Sequence, residues 1–194
     1  AWISLCIALL ACVPFFLHFE RKSGSTQTLI LIAAMVALSV VGRILFTPLP
    51  GFKPVTAMVV LTAVYFGSEA GFMTGALSAV ISNFWFGQGP WTPFQMVSWG
   101  LIGFIAGLLA NPLKRSSILL AVYGLFSGAL FSLLMDTWTV LWQDGYFNLA
   151  RYGAYVLSSL PWMAVYALSN VIFLLLFTPL VGKVLTRVKT KYGL

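Results

Sequence analysis

Acidic side chains are nearly absent from this sequence, and charged residues of either sign are few. Aspartate and glutamate number 4 in 194 residues, and charged residues of all kinds make up 8% of the chain. A soluble globular domain has roughly 25%. Hydrophobic residues reach 60%, so too few charged side chains remain to cover a water-exposed exterior. We therefore expect a single integral membrane domain over residues 1–194.

The side chains that acid–base and metal chemistry need are equally scarce. The chain has one histidine, His18, and two cysteines, Cys6 and Cys12, which both fall in the first apolar run. Two thiols in lipid make neither a disulfide framework nor a metal-ligand spacing. No phosphate-binding loop, zinc-protease motif or serine-hydrolase motif occurs. We expect no catalytic residue, no metal site and no intrinsic cofactor, so the chain is predicted not to be an enzyme.

What the sequence does contain is a series of seven apolar runs. A membrane-spanning helix needs about 20 mostly apolar residues, and most of the runs approach that length. The third run covers only about 18 Å at about 1.5 Å per residue, so it must be tilted, or the proline-rich loop before it must dip into the protein. We predict an all-α membrane bundle. The runs lie at 1–19, 29–46, 55–66, 70–86, 94–110, 118–141 and 155–180.

The basic residues lie at the ends of these runs and not in one patch, which argues against a nucleic-acid partner despite the net charge of +7. Alternating crossings put Arg43, Lys53 and Arg151 on one side of the membrane. The richer side is cytoplasmic by the positive-inside rule, so the N-terminus is predicted outside and the C-terminus inside. The basic residues on the richer side are Arg21, Lys22, Lys114, Arg115, Lys183, Arg187, Lys189 and Lys191.

Small residues recur one helical turn apart in four of the runs. Such pairs let helix backbones approach closely in lipid, where close packing drives association. Packing inside the bundle is the first interpretation, and docking of a partner helix is the alternative. The pairs are Ala33 and Ala37, Gly71 and Gly75, Gly103 and Gly107, and Gly124 and Gly128.

Polar residues form stripes on the sixth and seventh runs. Asp136 stands out, because an ionisable group inside a membrane is costly and by default marks a functional site. The alternative is a hydrogen-bonded clamp between two helices, and both interpretations stay open. The stripes consist of Ser132, Asp136, Thr139 and Gln143 on the sixth run, and Ser159, Trp162, Tyr166 and Asn170 on the seventh.

Aromatic and amide side chains gather around the loops of the predicted outer side. Aromatic belts occur at any membrane interface, but they do not account for Asn83, Gln88 and Gln95 beside the tryptophans. Aromatic walls with a few polar groups are typical of a small-molecule pocket. We therefore predict a pocket that opens to the outside.

Three stretches between Gly42 and Ala110 carry a family resemblance. They read GRILF with FKPVTAM, then FGSEAGFMTGALSAVISNFWFGQGPWTPFQM, then WGLIGFIAGLLA, and the segment QGPWTPFQM at 88–96 is the most specific. These stretches resemble the S components of energy-coupling factor (ECF) vitamin transporters. Within that family the chain looks most like the cobalamin-specific S component.

The resemblance implies a six-helix core over 29–180, an extra N-terminal span at 1–19 and a basic cytoplasmic tail at 181–194. It also implies a multi-pass protein of a prokaryotic plasma membrane that captures a vitamin, here expected to be cobalamin, from outside. The implied partners are a transmembrane T component and two cytoplasmic ATPases. Ala33 and Ala37 match the family motif that contacts the T component.

Combining the pocket with the resemblance gives a set of expected ligand contacts. Cobalamin is bulky, rich in amides and carries a phosphate, so aromatic, amide and lysine side chains suit it, although they suit riboflavin, folate or pantothenate as well. A solitary channel or facilitator and a structural subunit without a ligand are the alternatives from other classes. The expected contacts are Lys53, Asn83, Trp85, Gln88, Trp91, Gln95, Asp136, Trp138 and Tyr166.

Overall fold

Glycine and proline divide the apolar sequence into helices. Gly67, Gly87 and Gly145 each follow the last residue of a helix with a positive φ of 99°, 98° and 76°, a conformation that glycine adopts without steric cost. Pro93 lies in the first turn of the helix that begins at Thr92, where its missing N–H group costs nothing. Chain direction therefore reverses at defined points.

The structure, a computed structural model, describes residues 26–192 together with residues 6, 9, 10, 12–14 and 17 of the first run. Regular structure within 26–192 is entirely helical, which confirms the predicted all-α bundle. Six helices of 12 to 44 residues make up the core, and a helix of 6 residues lies between the fourth and the fifth of them. They are α1 (Thr26–Leu45), α2 (Val55–Phe66), α3 (Ser68–Phe86), α4 (Thr92–Leu108), α5 (Ala110–Arg115), α6 (Ser117–Asp144) and α7 (Leu149–Tyr192).

The short helix α2 lies at the centre of the bundle. All residues from Val55 to Val64 are buried, and α2 contacts α1, α3, α4, α5 and α7. Because its neighbours shield it from lipid, α2 does not need the length of a lipid-facing span. The loop before it also enters the bundle, since the backbone N–H of Lys53 donates to Ser169 Oγ at 2.9 Å.

Among the described residues, three helices are long and apolar enough to cross a membrane, namely α1, α6 and α7. Helix α7 has 44 residues and continues past Leu180 to Tyr192, so the described part of the expected tail is a helical extension of the last span. Lys189 Nζ donates to the carbonyl of Tyr65 at 2.9 Å and holds this extension to the end of α2. Most of the expected extra span at 1–19 lies outside the described residues.

Helices α3 and α4 pack backbone to backbone. A Cβ atom placed on Gly71 would lie 2.9 Å from the carbonyl oxygen of Gly103, and one on Gly75 would lie 2.8 Å from the backbone nitrogen of Gly100. Side chains larger than hydrogen do not fit at these positions. The glycine pairs on α3 and α4 therefore pack inside the bundle, as small residues do in lipid.

Gly75→Ala should destabilise the protein, because the added methyl group would lie 2.5 Å from the backbone carbonyl of Trp99 and so forces α3 and α4 apart. Overpacking of this kind costs about 1–3 kcal/mol, which would appear as a lower melting temperature in detergent. Gly153→Ala is the matched control, since a Cβ there would meet nothing within 4 Å. Equal melting temperatures for the two variants would contradict the close α3–α4 contact.

Candidate functional site

A cavity of about 150 Å³ opens at the end of the bundle where α1 ends and α2 begins. Five helices and the loop at 46–54 contribute to its wall, so no single segment of sequence encodes it. The lining residues are Arg43 of α1, Gly51 and Lys53 of the loop, Val55 and Thr56 of α2, Gln95 and Trp99 of α4, Phe131 of α6, and Tyr166 and Asn170 of α7.

One wall of the cavity is aromatic. The rings of Trp99 and Phe131 stack with centroids 4.9 Å apart and an interplanar angle of 22°. Tyr166 meets Phe131 edge to face, with centroids 5.7 Å apart. This cluster joins α4, α6 and α7 and gives the cavity one aromatic wall. A planar heterocyclic ring can pack against such a wall.

Arg43 brings a positive charge into the cavity wall. Its Nη1 donates to Ser82 Oγ and, at 2.9 Å, to Asn83 Oδ1. The guanidinium carbon lies 4.5 Å from the ring centroid of Phe86 and 5.2 Å from that of Trp99. Cation–π contacts of this length stabilise a partly desolvated charge. Neutral groups therefore hold Arg43 in position.

Asn83 is the hydrogen-bonding centre behind the wall. Its side chain is only 1% exposed. Its Nδ2 donates to Gln95 Oε1 at 2.7 Å and to Thr92 Oγ1 at 2.9 Å, while its Oδ1 accepts from Arg43. Asn83 thus joins α3 to α1 and α4, and it orients the two side chains that do reach the cavity, Arg43 and Gln95.

Lys53 extends from the loop over the cavity. Its backbone N–H donates to Ser169 Oγ, and Ser169 Oγ donates back to the Lys53 carbonyl at 3.2 Å. The Lys53 ammonium lies 4.6 Å from the ring centroid of Phe86. Burial, and after it the charge of Arg43, lower the pKa of Lys53 below its ordinary value. The loop is thus fastened to α7 while its one charged side chain stays near Arg43.

Three of the nine expected contacts line the cavity, namely Lys53, Gln95 and Tyr166, and Asn83 supports it from behind. Trp91 and Trp138 pack against each other, with ring centroids 6.1 Å apart, outside the cavity lining.

Trp85 and Gln88 lie away from the cavity. Trp85 is 71% exposed at the end of α3, on the side opposite the buried Asn83. The Gln88 side chain is exposed and donates to the carbonyl of Val80 at 2.8 Å, so it fixes the turn between α3 and α4.

Asp136 connects two helices. Ser159 Oγ of α7 donates to Asp136 Oδ2 at 2.6 Å, and Ser132 lies 3.4 Å from the same hydroxyl. The polar stripes of α6 and α7 therefore face each other in this region. The geometry matches the interpretation of Asp136 as an interhelical clamp, and Asp136 is not among the residues that line the cavity.

Sequence reasoning missed most of the wall. Arg43 entered the topology prediction and the GRILF stretch of the resemblance, although its place inside an apolar run was itself a signal, because such a charge needs buried partners. Asn170 lies in the polar stripe of the seventh run and Trp99 begins the third stretch of the resemblance, but neither pattern assigns a site. The other lining residues that were missed are Gly51, Val55, Thr56 and Phe131.

Ala33 and Ala37 lie on the exposed face of α1. The buried face of this helix carries Leu31, Ile32, Met35, Val36 and Ser39. The two alanines therefore do not pack inside the bundle of described residues. Their small side chains leave room for another helix to approach.

Asn83→Leu should destabilise the protein without ligand, because Arg43, Thr92 and Gln95 each lose a buried partner. Leaving such groups unpaired costs about 1–3 kcal/mol, and the melting temperature in detergent measures the loss. Trp85→Ala, two positions along the same helix, removes an exposed side chain and should leave the melting temperature unchanged. A similar melting temperature for both variants would contradict the supporting role of Asn83.

A family model described as ECF-type riboflavin transporter, S component, matches residues 23–187. The matched region includes every residue that lines the cavity. No curated protein and no solved structure matches the chain. The match confirms the resemblance to ECF S components at the level of the family. The chain belongs to the family of ECF-type riboflavin transporter S components.

Proposed function

We propose that the chain is the substrate-binding membrane subunit of an ECF-type importer. In this role it binds a vitamin from outside and delivers it to the cytoplasm together with a T component and two ATPases. The observation that carries the proposal is the cavity at one end of the bundle, where the aromatic surface of Trp99, Phe131 and Tyr166 meets the polar groups of Arg43 and Gln95. Aromatic walls with few polar groups are the usual form of a small-molecule site.

The distribution of basic residues supports an outward-facing cavity. Arg43 and Lys53 line it, while the opposite end of the bundle carries Lys114, Lys189 and Lys191. The end richer in lysine and arginine is cytoplasmic by the positive-inside rule. We therefore propose that the C-terminus lies in the cytoplasm and, with the first run as a further span, the N-terminus outside. Membership of the family supports a multi-pass protein of a prokaryotic plasma membrane.

For the vitamin we propose a flavin, with riboflavin as the first probe. The matching family is named for riboflavin, and the flat tricyclic ring of a flavin suits the stacked surface of Trp99 and Phe131. The cavity, at about 150 Å³, is smaller than the roughly 300–1,000 Å³ of typical ligand sites. A bound flavin therefore extends out of the opening of the cavity, or the wall moves to admit it. Cobalamin stays a prediction; its corrin ring with peripheral amides is far larger than a flavin and would need a much wider opening.

A panel of vitamins tests the ligand. Riboflavin should raise the melting temperature of the purified chain and lose fluorescence on stacking, whereas cobalamin, folate, pantothenate, thiamine and biotin should not stabilise the protein. Ligand binding at 100 times Kd adds about 2.7 kcal/mol of stability. Stabilisation by cobalamin alone would replace the flavin and keep the family function, and no stabilisation by any compound would contradict vitamin binding.

Tyr166→Leu should weaken riboflavin binding by roughly threefold to tenfold, because it removes an aromatic contact worth about 0.5–1.5 kcal/mol. Trp85→Leu is the control, since it removes an exposed aromatic residue near the same end of the bundle. Titration of flavin fluorescence measures both dissociation constants. Equal affinities for the two variants would mean that the ligand does not use this wall.

Replacing Ala33 and Ala37 together by valine should impair assembly with the T component and leave ligand affinity intact. The added methyl groups keep a partner helix from approaching the exposed face of α1. Co-purification with the T component measures assembly. Ala154→Val, on an exposed position of α7, is the control. Undiminished assembly of the double variant would place the docking face elsewhere.

A further inference from the structure

The cavity wall carries two cations and no carboxylate. Arg43 and Lys53 both line it, and the other eight lining residues are neutral. In the part of the chain that the structure describes, neither cation has a carboxylate within ion-pair distance. The described ion pair on this side of the bundle joins Arg151 to Asp144 at 2.6 Å, and neither of those residues belongs to the wall.

The acidic residues that the structure describes have partners elsewhere or lie at the opposite end of the bundle. Asp136 accepts a hydrogen bond from Ser159 and is not among the residues that line the cavity. Glu69 lies in the first turn of α3, at the opposite end of the bundle. Glu20 lies outside the described residues. The excess positive charge of the cavity is therefore not balanced by a carboxylate in its wall.

Arg43 and Lys53 retain unused hydrogen-bond donors. Both hydrogen bonds of Arg43 run from Nη1, so Nε and Nη2 have no acceptor within the described chain, although a guanidinium offers five N–H donors. Among the described residues, Lys53 Nζ contacts the ring of Phe86 and donates no hydrogen bond. A guanidinium that served only to clamp α1 to α3 would need nothing beyond Nη1. The remaining donors are available to a ligand.

The two charges also act on each other. The guanidinium carbon of Arg43 and the ammonium of Lys53 lie 4.5 Å and 4.6 Å from the centroid of the same ring, that of Phe86. Like charges brought together in a partly desolvated site are unfavourable. An anion bound beside them would relieve the repulsion and form charge-assisted hydrogen bonds, which are shorter and stronger than neutral ones.

We propose that the ligand of this cavity carries an anionic group, a phosphate or a carboxylate, which binds to the free donors of Arg43 and to the ammonium of Lys53. This inference rests on the proposed function and narrows its substrate class. Among flavins it favours the phosphorylated form, flavin mononucleotide, over riboflavin. The ring would stack on Trp99 and Phe131 while the phosphate reaches the two cations.

Pairs of compounds that differ in one anionic group test the inference. Dissociation constants are measured on the purified full chain for riboflavin against flavin mononucleotide and for panthenol against pantothenate. In whichever pair binds, the anionic member should bind roughly tenfold or more tightly, as expected for hydrogen bonds to charged groups. In Lys53→Gln and in Arg43→Gln the ratio of the two dissociation constants should fall close to one.

Two further variants separate recognition from folding and from overall charge. Lys53→Gln leaves every hydrogen bond of the described chain in place, because the Lys53 side chain donates none, so it remains informative if Arg43→Gln fails to fold. Arg151→Gln removes one positive charge from the same side of the protein but outside the cavity, and it should keep the full preference. The melting temperature of each ligand-free variant reports folding.

The outcomes distinguish the two levels of the proposal. Equal binding of both members of a pair, or a preference that persists in Lys53→Gln and Arg43→Gln, would overturn the anionic ligand and leave vitamin binding standing. If Arg151→Gln loses the preference to the same extent, the overall positive charge of this side of the protein is responsible, and the anionic-ligand proposal is overturned. No binding by any of these four compounds or by any vitamin of the panel would overturn the proposed function, and this inference with it.

Discussion

The hydrogen bond from Arg43 Nη1 to Asn83 Oδ1 is the contact on which the cavity depends. A charge inside an apolar helix needs partners, because lipid offers none, and Asn83 supplies one while its own amide group binds Gln95 of α4. One buried side chain thereby joins α1, α3 and α4 at the end where the cavity opens. This contact holds the guanidinium of Arg43 in the wall of the cavity.

Two kinds of packing fix that end of the bundle, backbone contact between helices on one side and an anchored loop on the other. Glycines bring α3 and α4 into backbone contact, and α2 is enclosed by its neighbours, so the wall formed by Gln95 and Trp99 has little freedom. The loop at 46–54 is held by the two hydrogen bonds between Lys53 and Ser169 and by the rings of Phe46 and Phe52, which pack against Phe173 of α7. Both sides of the cavity are therefore anchored to the bundle.

The fold was predictable from the sequence to a greater extent than the site. Apolar runs and glycine positions determine the helices, and the predicted third run coincides with α2, Val55–Phe66. The last helix extends beyond Leu180 because hydropathy marks where a span leaves the lipid and not where the helix ends.

Site residues depend on helix rotation: Asn83 and Trp85 are two positions apart, yet one is buried and the other exposed. Arg43 was missed because a basic residue near the end of an apolar run is already explained by membrane topology. Its second role, in the cavity wall, depends on the partners that the fold brings to it.

The central claim is that a vitamin binds from outside in the cavity beside Arg43 and Lys53. Cysteine labelling tests it most directly, using Lys53→Cys in a background where Cys6 and Cys12 are replaced by serine. A membrane-impermeant thiol reagent applied to intact cells should label the new cysteine, and the bound vitamin should protect it. Labelling only from the cytoplasmic side, or labelling that a saturating vitamin does not slow, would contradict the claim.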